Sequence, residues 1–501
     1  MWKTRAVAAL VVASGALGTL DTLVLTPPAA AAADDVKSVL ENASLAMGAA
    51  GLNAITYSGS AANGNFGQSR TISFGLASTT IRNYTRTIDF TQPASYASGD
   101  PIPPAVRGGP PPQPGAPGSY QQLITPANAA WAQQLQIWVT PWGFLRGAAA
   151  SANATLRAKK VDEIPYRIVT WSPAQKAPSG QPYKVVGYIS PENLVDRVET
   201  WVEHPVLGDL HVELFYKDYQ DLGGLKVPRR ISMKQVGMET FVAAITAATK
   251  NPDDLAQRMT PPPNAGRGGG PAAAAGATPP PAASEKLADG VYRITGGPGG
   301  YVAMAVELRD SVVVLEGPQS EARGLAIIAE TKRLFPAKRI KYVVNTHPHF
   351  DHASGLAPFA AEGITILTDD NNKFFVDASL GSPRTLVGDA LAKSHKKPKV
   401  EGVIDKMVLG DDTRTIELHH VKGLEHSDGM LIAYLPKEKI LFTADFNVPG
   451  PGQAVSPSIA VLVQNIERLQ LDFERHVMVH APNPDRPMTR ADLLALANGT
   501  H

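Results

Sequence analysis

The alternation of apolar and polar positions divides the chain into segments of different period. "DDVKSVLENASLAMGAA", from Asp34, spaces Val36, Leu40, Leu45 and Met47 for one face of a helix. After it, the runs "AITYSGSA", "RTISFGLA", "YRIVTWSP", "YKVVGYIS", "VDRVETWVE", "DLHVELFYKDYQ" and "VPRRISMKQ" alternate as strands that are wet on one face do. They lie close enough in sequence for hairpins, which predicts a mainly antiparallel sheet over residues 34–250. Residues 92–118, dense in proline and glycine, predict an irregular loop inside it. Residues 251–284 carry almost no large apolar side chains beyond Thr260 and read as a Pro/Gly/Ala linker.

The pattern changes over residues 285–501. "GVYRITGG", "YVAMAVEL" and "DSVVVLEGP" predict consecutive strands, "SEARGLAIIAETKRLF" an amphipathic helix and "RIKYVVNT" a buried strand. "ITILTD", "RTIELHHV", "MLIAYLP", "KILFTAD" and "HVMVH" continue as strands, with helices at "SIAVLVQNIERLQL" and "TRADLLALAN". This block is α/β, and two sheets with helices outside them would pack it.

Composition narrows the partners. A formal net charge of +1 on 501 residues supplies no field toward nucleic acid or anionic lipid, so neither is an expected partner. With no cysteine there is neither a disulfide nor a thiolate ligand, and any metal must be held by nitrogen and oxygen. The start, with Lys3 and Arg5 before an apolar stretch and a small-residue run ending near Ala33, has the order of a secretory signal peptide at 1–33. Asp21 interrupts the apolar stretch too early for a membrane span. A periplasmic or secreted protein without stable membrane insertion is expected. "YISPENLVDRVETW" followed by "VELFYKDYQDLGGLKVPRRI" resembles the repeated hairpins of periplasmic lipoprotein-carrier-like domains, curved sheets that bind apolar ligands or partner proteins. His204 and His211, lacking a partner cluster, read as surface or strand histidines.

Candidate chemistry concentrates at "THPHFDHASG", residues 346–355, which holds a quarter of the 12 histidines. His347 and His349 follow a strand end, where His-x-His can set two imidazoles toward one ion, while Asp351 and His352 can face a second. Zinc suits imidazole and carboxylate donors. A two-ion site needs more ligands, and later strand ends offer His426, Asp445 and His480. His419 and His420 lie within a strand and His476 begins one, so all three read as structural neighbours.

This order, HxHxDH, then His, Asp and His at successive strand ends, resembles the metallo-β-lactamase superfamily. The resemblance implies an αββα sandwich and two Zn²⁺ per chain. His347, His349 and His426 would hold one; Asp351, His352 and His480 the other; Asp445 would bridge them. It further implies a metal-bridging hydroxide as nucleophile, with Asp351 catalytic, orienting it and serving the leaving group. The expected activity is hydrolysis of an ester, lactone, thioester or amide. Two other readings fit less of the pattern: a mononuclear iron oxidoreductase resembling persulfide dioxygenases, and a carrier whose α/β block is passive. Asp445 stands where β-lactamases with a cysteine ligand carry that cysteine. Residues 379–402 and 447–458 are expected to wall the substrate.

Overall fold

The computed structural model describes residues 35–71, 76–105, 114–127, 130–261, 281–296, 300–450 and 454–499. The expected leader, residues 262–280 of the linker, and parts of the 92–118 and 447–458 loops lie outside the described residues. Among the described residues, strands gather into sheets of eleven, seven and six.

The eleven-stranded sheet is antiparallel throughout and spans Ala54 to Lys250. Its first strand, Ala54–Gly64, lies mid-sheet, paired on one side with Ser78–Asp89 and on the other with Met238–Lys250. The opening helix, Val36–Ala46, buries Val39, Leu40 and Ala43, and Met47 follows just beyond it. Leu45, expected on that face, is 70% exposed, because it lies five positions from Leu40 and so off the i, i+3, i+4 stripe.

The expected loop at 92–118 contains a strand, Ala94–Ile102, whose register against Ser78–Asp89 satisfies its backbone; Pro101 falls near the strand end. Of "RTISFGLA", residues 72–75 lie outside the described residues and the remainder is not strand; the strand begins at Ser78. Two unforeseen helices, Trp131–Trp138 and Pro141–Ala150, supply Leu135, Ile137, Trp142, Phe144 and Leu145 to the core on this sheet. The second has a sequence signal, Thr140 capping Gly143 with Pro141 at the first helical position.

In the C-terminal half, period-two strands sort their side chains between two layers. Met304, Val306, Val313 and Leu315 join the core shared with the six-stranded sheet. Ala303, Ala305, Val312 and Val314 face the other way, toward Ile327 and Ile328 of helix Glu321–Leu334 and Phe359 of helix Leu356–Glu362. Helix Ser458–Leu469 closes the opposite side with Ile459, Leu462 and Ile466. The result is the αββα sandwich. Each fully buried Leu, Ile, Val or Phe is worth about 1.5–3 kcal/mol. Apolar packing on both faces of the two sheets thus sets where the strand ends lie.

Residues Val36–His501 form one compact unit, so the eleven-stranded sheet touches the sandwich directly. Arg384, 6% exposed, donates to Asp389 and to the carbonyls of Pro205 and Val206, and Asp209 accepts from Thr385 and Leu386. Segment 379–402 was expected to wall the substrate. Part of it is engaged instead by the hairpin around Gly208, and Lys396, Lys397 and Lys399 are exposed.

Candidate metal centre

Strand Arg339–Val344 runs parallel between Ser311–Leu315 and Thr365–Asp369 and delivers the histidine loop. The loop is pinned from several sides. Asn345, fully buried, donates its backbone N–H to the Leu367 carbonyl in its own sheet at 2.8 Å and its side-chain amide to the carbonyls of His347 and His352. The Leu431 N–H donates to the Thr346 carbonyl at 2.8 Å, which joins the loop to the other sheet. His426 precedes strand Leu431–Leu435, Asp445 follows Ile440–Thr443, and His480 follows Arg475–Met478.

All seven predicted residues converge. Donor atoms of His347, His349, His426 and Asp445 lie within 4.8 Å of one another, as do those of Asp351, His352 and His480. Asp445 stands between the groups. Its Oδ2 is 2.6 Å from His426 Nε2 and 3.3 Å from His347 Nε2; its Oδ1 is 2.7 Å from His480 Nε2 and 3.0 Å from His352 Nε2. Ala444, completely buried, leaves no side chain in the way.

The donors fit a metal. Among the described residues, His347 Nε2, His349 Nδ1, His426 Nε2 and Asp445 Oδ1 are buried off hydrogen-bond geometry to any partner. Buried polar atoms in native proteins nearly always have one, so three orphaned imidazole nitrogens gathered on one side of Asp445, with its orphaned Oδ1 turned to the other, mark a place for cations. The tautomers agree. His349 Nε2 lies 3.1 Å from the Ser69 carbonyl, which can only accept, so the proton sits on Nε2 and Nδ1 keeps its lone pair. His347 Nδ1 lies 3.1 Å from Thr346 Oγ1, whose hydroxyl donates to Glu316, and that leaves Nε2 free toward Asp445. Burial pushes His349 down to about 4 and His347 well below its usual value, so both imidazoles are neutral, the form that can accept a metal. Burial raises the Asp351 and Asp445 carboxyls, but the surrounding imidazoles, with Tyr301 and Gln68 at Asp351, outweigh it and hold both far below the carboxylate range.

Four contributors escaped the sequence reading. Glu316, completely buried and at φ +80°, accepts from Thr346 and faces His352 Nδ1 at 3.5 Å. Tyr301 donates its phenol to Asp351 Oδ2 at 2.7 Å and packs against the His480 ring at 4.4 Å. Gln68 Nε2 donates to Asp351 Oδ1 at 2.6 Å, and with Ser69 it comes from the eleven-stranded sheet. Only Glu316 carried a signal, a lone carboxylate directly after the apolar run "VVVL".

The rival histidines stay outside the donor groups. His419 faces Glu417, His420 faces Asp369, and His476 bonds Thr443 Oγ1 at 2.8 Å. His204 is more than a strand histidine: its ring lies 4.6 Å from that of Phe350, inside the HxHxDH loop. His211 stacks on Trp201 near Glu199 and Glu213, and the Arg197 guanidinium already pairs with both carboxylates. Beside His349 opens a cavity of about 300 Å³, walled by Phe66, Leu76, Val236, Met238, Phe350 and Phe375.

Residues 296–480 match the family model described as Metallo-beta-lactamase superfamily. The C-terminal half is a domain of that superfamily, with candidate metal-binding His and Asp groups. The chain is 24% identical over 202 residues to the 2,4-dinitroanisole O-demethylase subunit alpha of Nocardioides sp. (strain JS1661), a stretch that covers 39% of this chain and 54% of that protein. It thus spans about half the length of the curated relative it matches. Among solved structures it is similar to a metallo-beta-lactamase from Pontibacter korlensis (17% identity, 43% of this chain and 97% of that one, TM-score 0.33). Another is a metallo-beta-lactamase from Hirschia baltica (20% identity, 44% and 97%, TM-score 0.33).

Proposed function

We propose that the protein is an exported two-zinc hydrolase that cleaves an ester, lactone, thioester or amide bond of a small molecule. The observation that carries this reading is the division of Asp445, one oxygen toward His347 and His426 and the other toward His352 and His480. His347, His349 and His426 would hold one ion, Asp351, His352 and His480 the second, with Asp445 shared. Bound there, the ions supply Lewis acidity, taking the pKa of water from 15.7 toward about 7 and polarising a carbonyl oxygen.

The chain's own residues do the rest. Asp351 has both oxygens engaged, by Gln68 and by Tyr301, so it holds and orients rather than swinging to carry a proton. The Tyr301 phenol, kept protonated by burial and by the Asp351 carboxylate, is a fixed donor at the second group. The apolar cavity sharing His349 suits a hydrophobic or aromatic portion of the substrate. Export rests on the order of basic, apolar and small residues at 1–33.

The test is metal analysis of purified protein together with a panel of lactones, β-lactams, thioesters and phosphoesters, including 2,4-dinitroanisole, each run with and without chelator. Two zinc ions per chain and chelator-sensitive cleavage of an acyl substrate are expected. A single iron per chain and no zinc would replace this reading with the oxidoreductase. Sequencing the N-terminus of the secreted or periplasmic fraction tests export, where a start near Asp34 is expected.

A further inference from the structure

We propose that the eleven-stranded sheet is a working part of the metal centre: residues Gly67–Arg70 form a strap in which Gln68 positions Asp351 and the Ser69 carbonyl sets the tautomer of His349. This rests on the two-ion reading above and adds to it residues about 280 positions from the histidine loop.

The strap leaves the end of strand Ala54–Gly64 and is fastened on both sides of the donor groups. On one side the Phe350 N–H donates to the Gly67 carbonyl at 3.0 Å, and the Phe66 ring meets that of Phe350 edge-on at 5.2 Å. On the other side Arg70 donates to Glu425 at 2.8 Å and to Asp428 at 2.7 Å, flanking His426, and the Asp428 N–H returns a bond to the Arg70 carbonyl. Between these anchors sit the contacts to Asp351 and His349. Gly67 permits the crossing: at φ +87°, a Cβ added there would lie 2.0 Å from the Phe350 ring.

Simple docking of two layers would be served by Phe66, Phe350 and Arg70. It gives no reason for the Gln68 side-chain amide and the Ser69 carbonyl, between those anchors, to reach Asp351 and His349. Outer partners of that kind orient metal ligands, fix imidazole tautomers, and on removal typically cost 10–100-fold in metal affinity or activity. Gln68 binds Asp351 through the oxygen that Tyr301 leaves free, so the carboxylate has no rotational freedom left.

The experiment is zinc titration of metal-free full-length protein against a chromophoric chelator, for wild type, Gln68→Ala and Gly67→Ala. Gln68→Ala is expected to weaken the second ion about 10–100-fold while the first is unchanged. The unfolding midpoint of the metal-free variant should match wild type, a readout that a merely structural role would move. Cobalt-substituted Gln68→Ala should show an altered visible spectrum. Gly67→Ala displaces the strap and is expected to weaken both ions. The inference is overturned if wild type takes two ions and Gln68→Ala binds both with wild-type affinity and spectrum. If wild type takes only one ion, the two-ion reading fails separately, and weakening or constancy of that single ion in Gln68→Ala decides the strap's role.

Discussion

Replacing Glu316 by Gln removes one charge from a fully buried position and changes almost no volume. The carboxylate accepts from Thr346, which in turn receives His347 Nδ1–H, and it faces His352 Nδ1, so one group backs a ligand in each half of the site. A hydrogen bond to a charged group is worth about 1.5–3 kcal/mol and a neutral one about 0.5–1.5, so the Thr346 bond should lose about 1 kcal/mol. The 3.5 Å approach to His352 is too long for a full second bond and adds a smaller electrostatic share. About 1.4 kcal/mol in total is a tenfold loss of zinc affinity, at the low end for outer-sphere partners. Both ions should weaken, in contrast to Gln68→Ala. Chelator competition on the folded variant measures this. Unchanged affinity for both ions would refute the relay, and would leave a glutamate at φ +80°, a conformation that costs about 1–3 kcal/mol, without a purpose.

Arg384→Ala should destabilise the protein by about 3–5 kcal/mol, because it strands Asp389, 3% exposed, beside the carbonyls of Pro205 and Val206; urea unfolding checks this, and a loss below 1 kcal/mol would place the pair among exposed ion pairs. Burial holds His476 at about 4, below its unfolded value near 6.5. Above pH 6.5 both states are neutral; as pH falls from about 6.5 to about 4 only the unfolded chain gains the proton, so stability should fall by up to about 3 kcal/mol. The gap between urea midpoints at pH 7 and 4.5 should therefore narrow in His476→Gln, leaving the share of the other buried histidines, and an unaltered acid slope would count against this histidine as a source.

The legible parts were those written as local density or period. His347, His349, Asp351 and His352 stood out because four donors follow one apolar strand, and His480 was separable from His476 because only one ends its strand. The αββα layering followed from strands whose alternate residues split between two cores. Gln68, Ser69 and Tyr301 are single residues of ordinary type, and their meaning lies in partners 283, 280 and 50 positions away. Strand Ala94–Ile102 was hidden by the prolines that follow it, since composition averaged over 92–118 masks a short paired run. Leu45 is apolar yet stands five positions from Leu40, off the buried stripe, so residue type alone does not reveal its exposure.

The placement of Ala54–Gly64 in the middle of its sheet also bears on assembly. Its partner on one side is Met238–Lys250, so the ladder that steadies the strap's root cannot close until nearly two hundred further residues have been made. Pairings of such long sequence separation are slow, because loop closure precedes any reward from contact. Zinc supplied during refolding would therefore meet a sandwich able to offer histidines before the strap arrives, and full affinity at both groups should lag first capture by the time the large sheet takes to close.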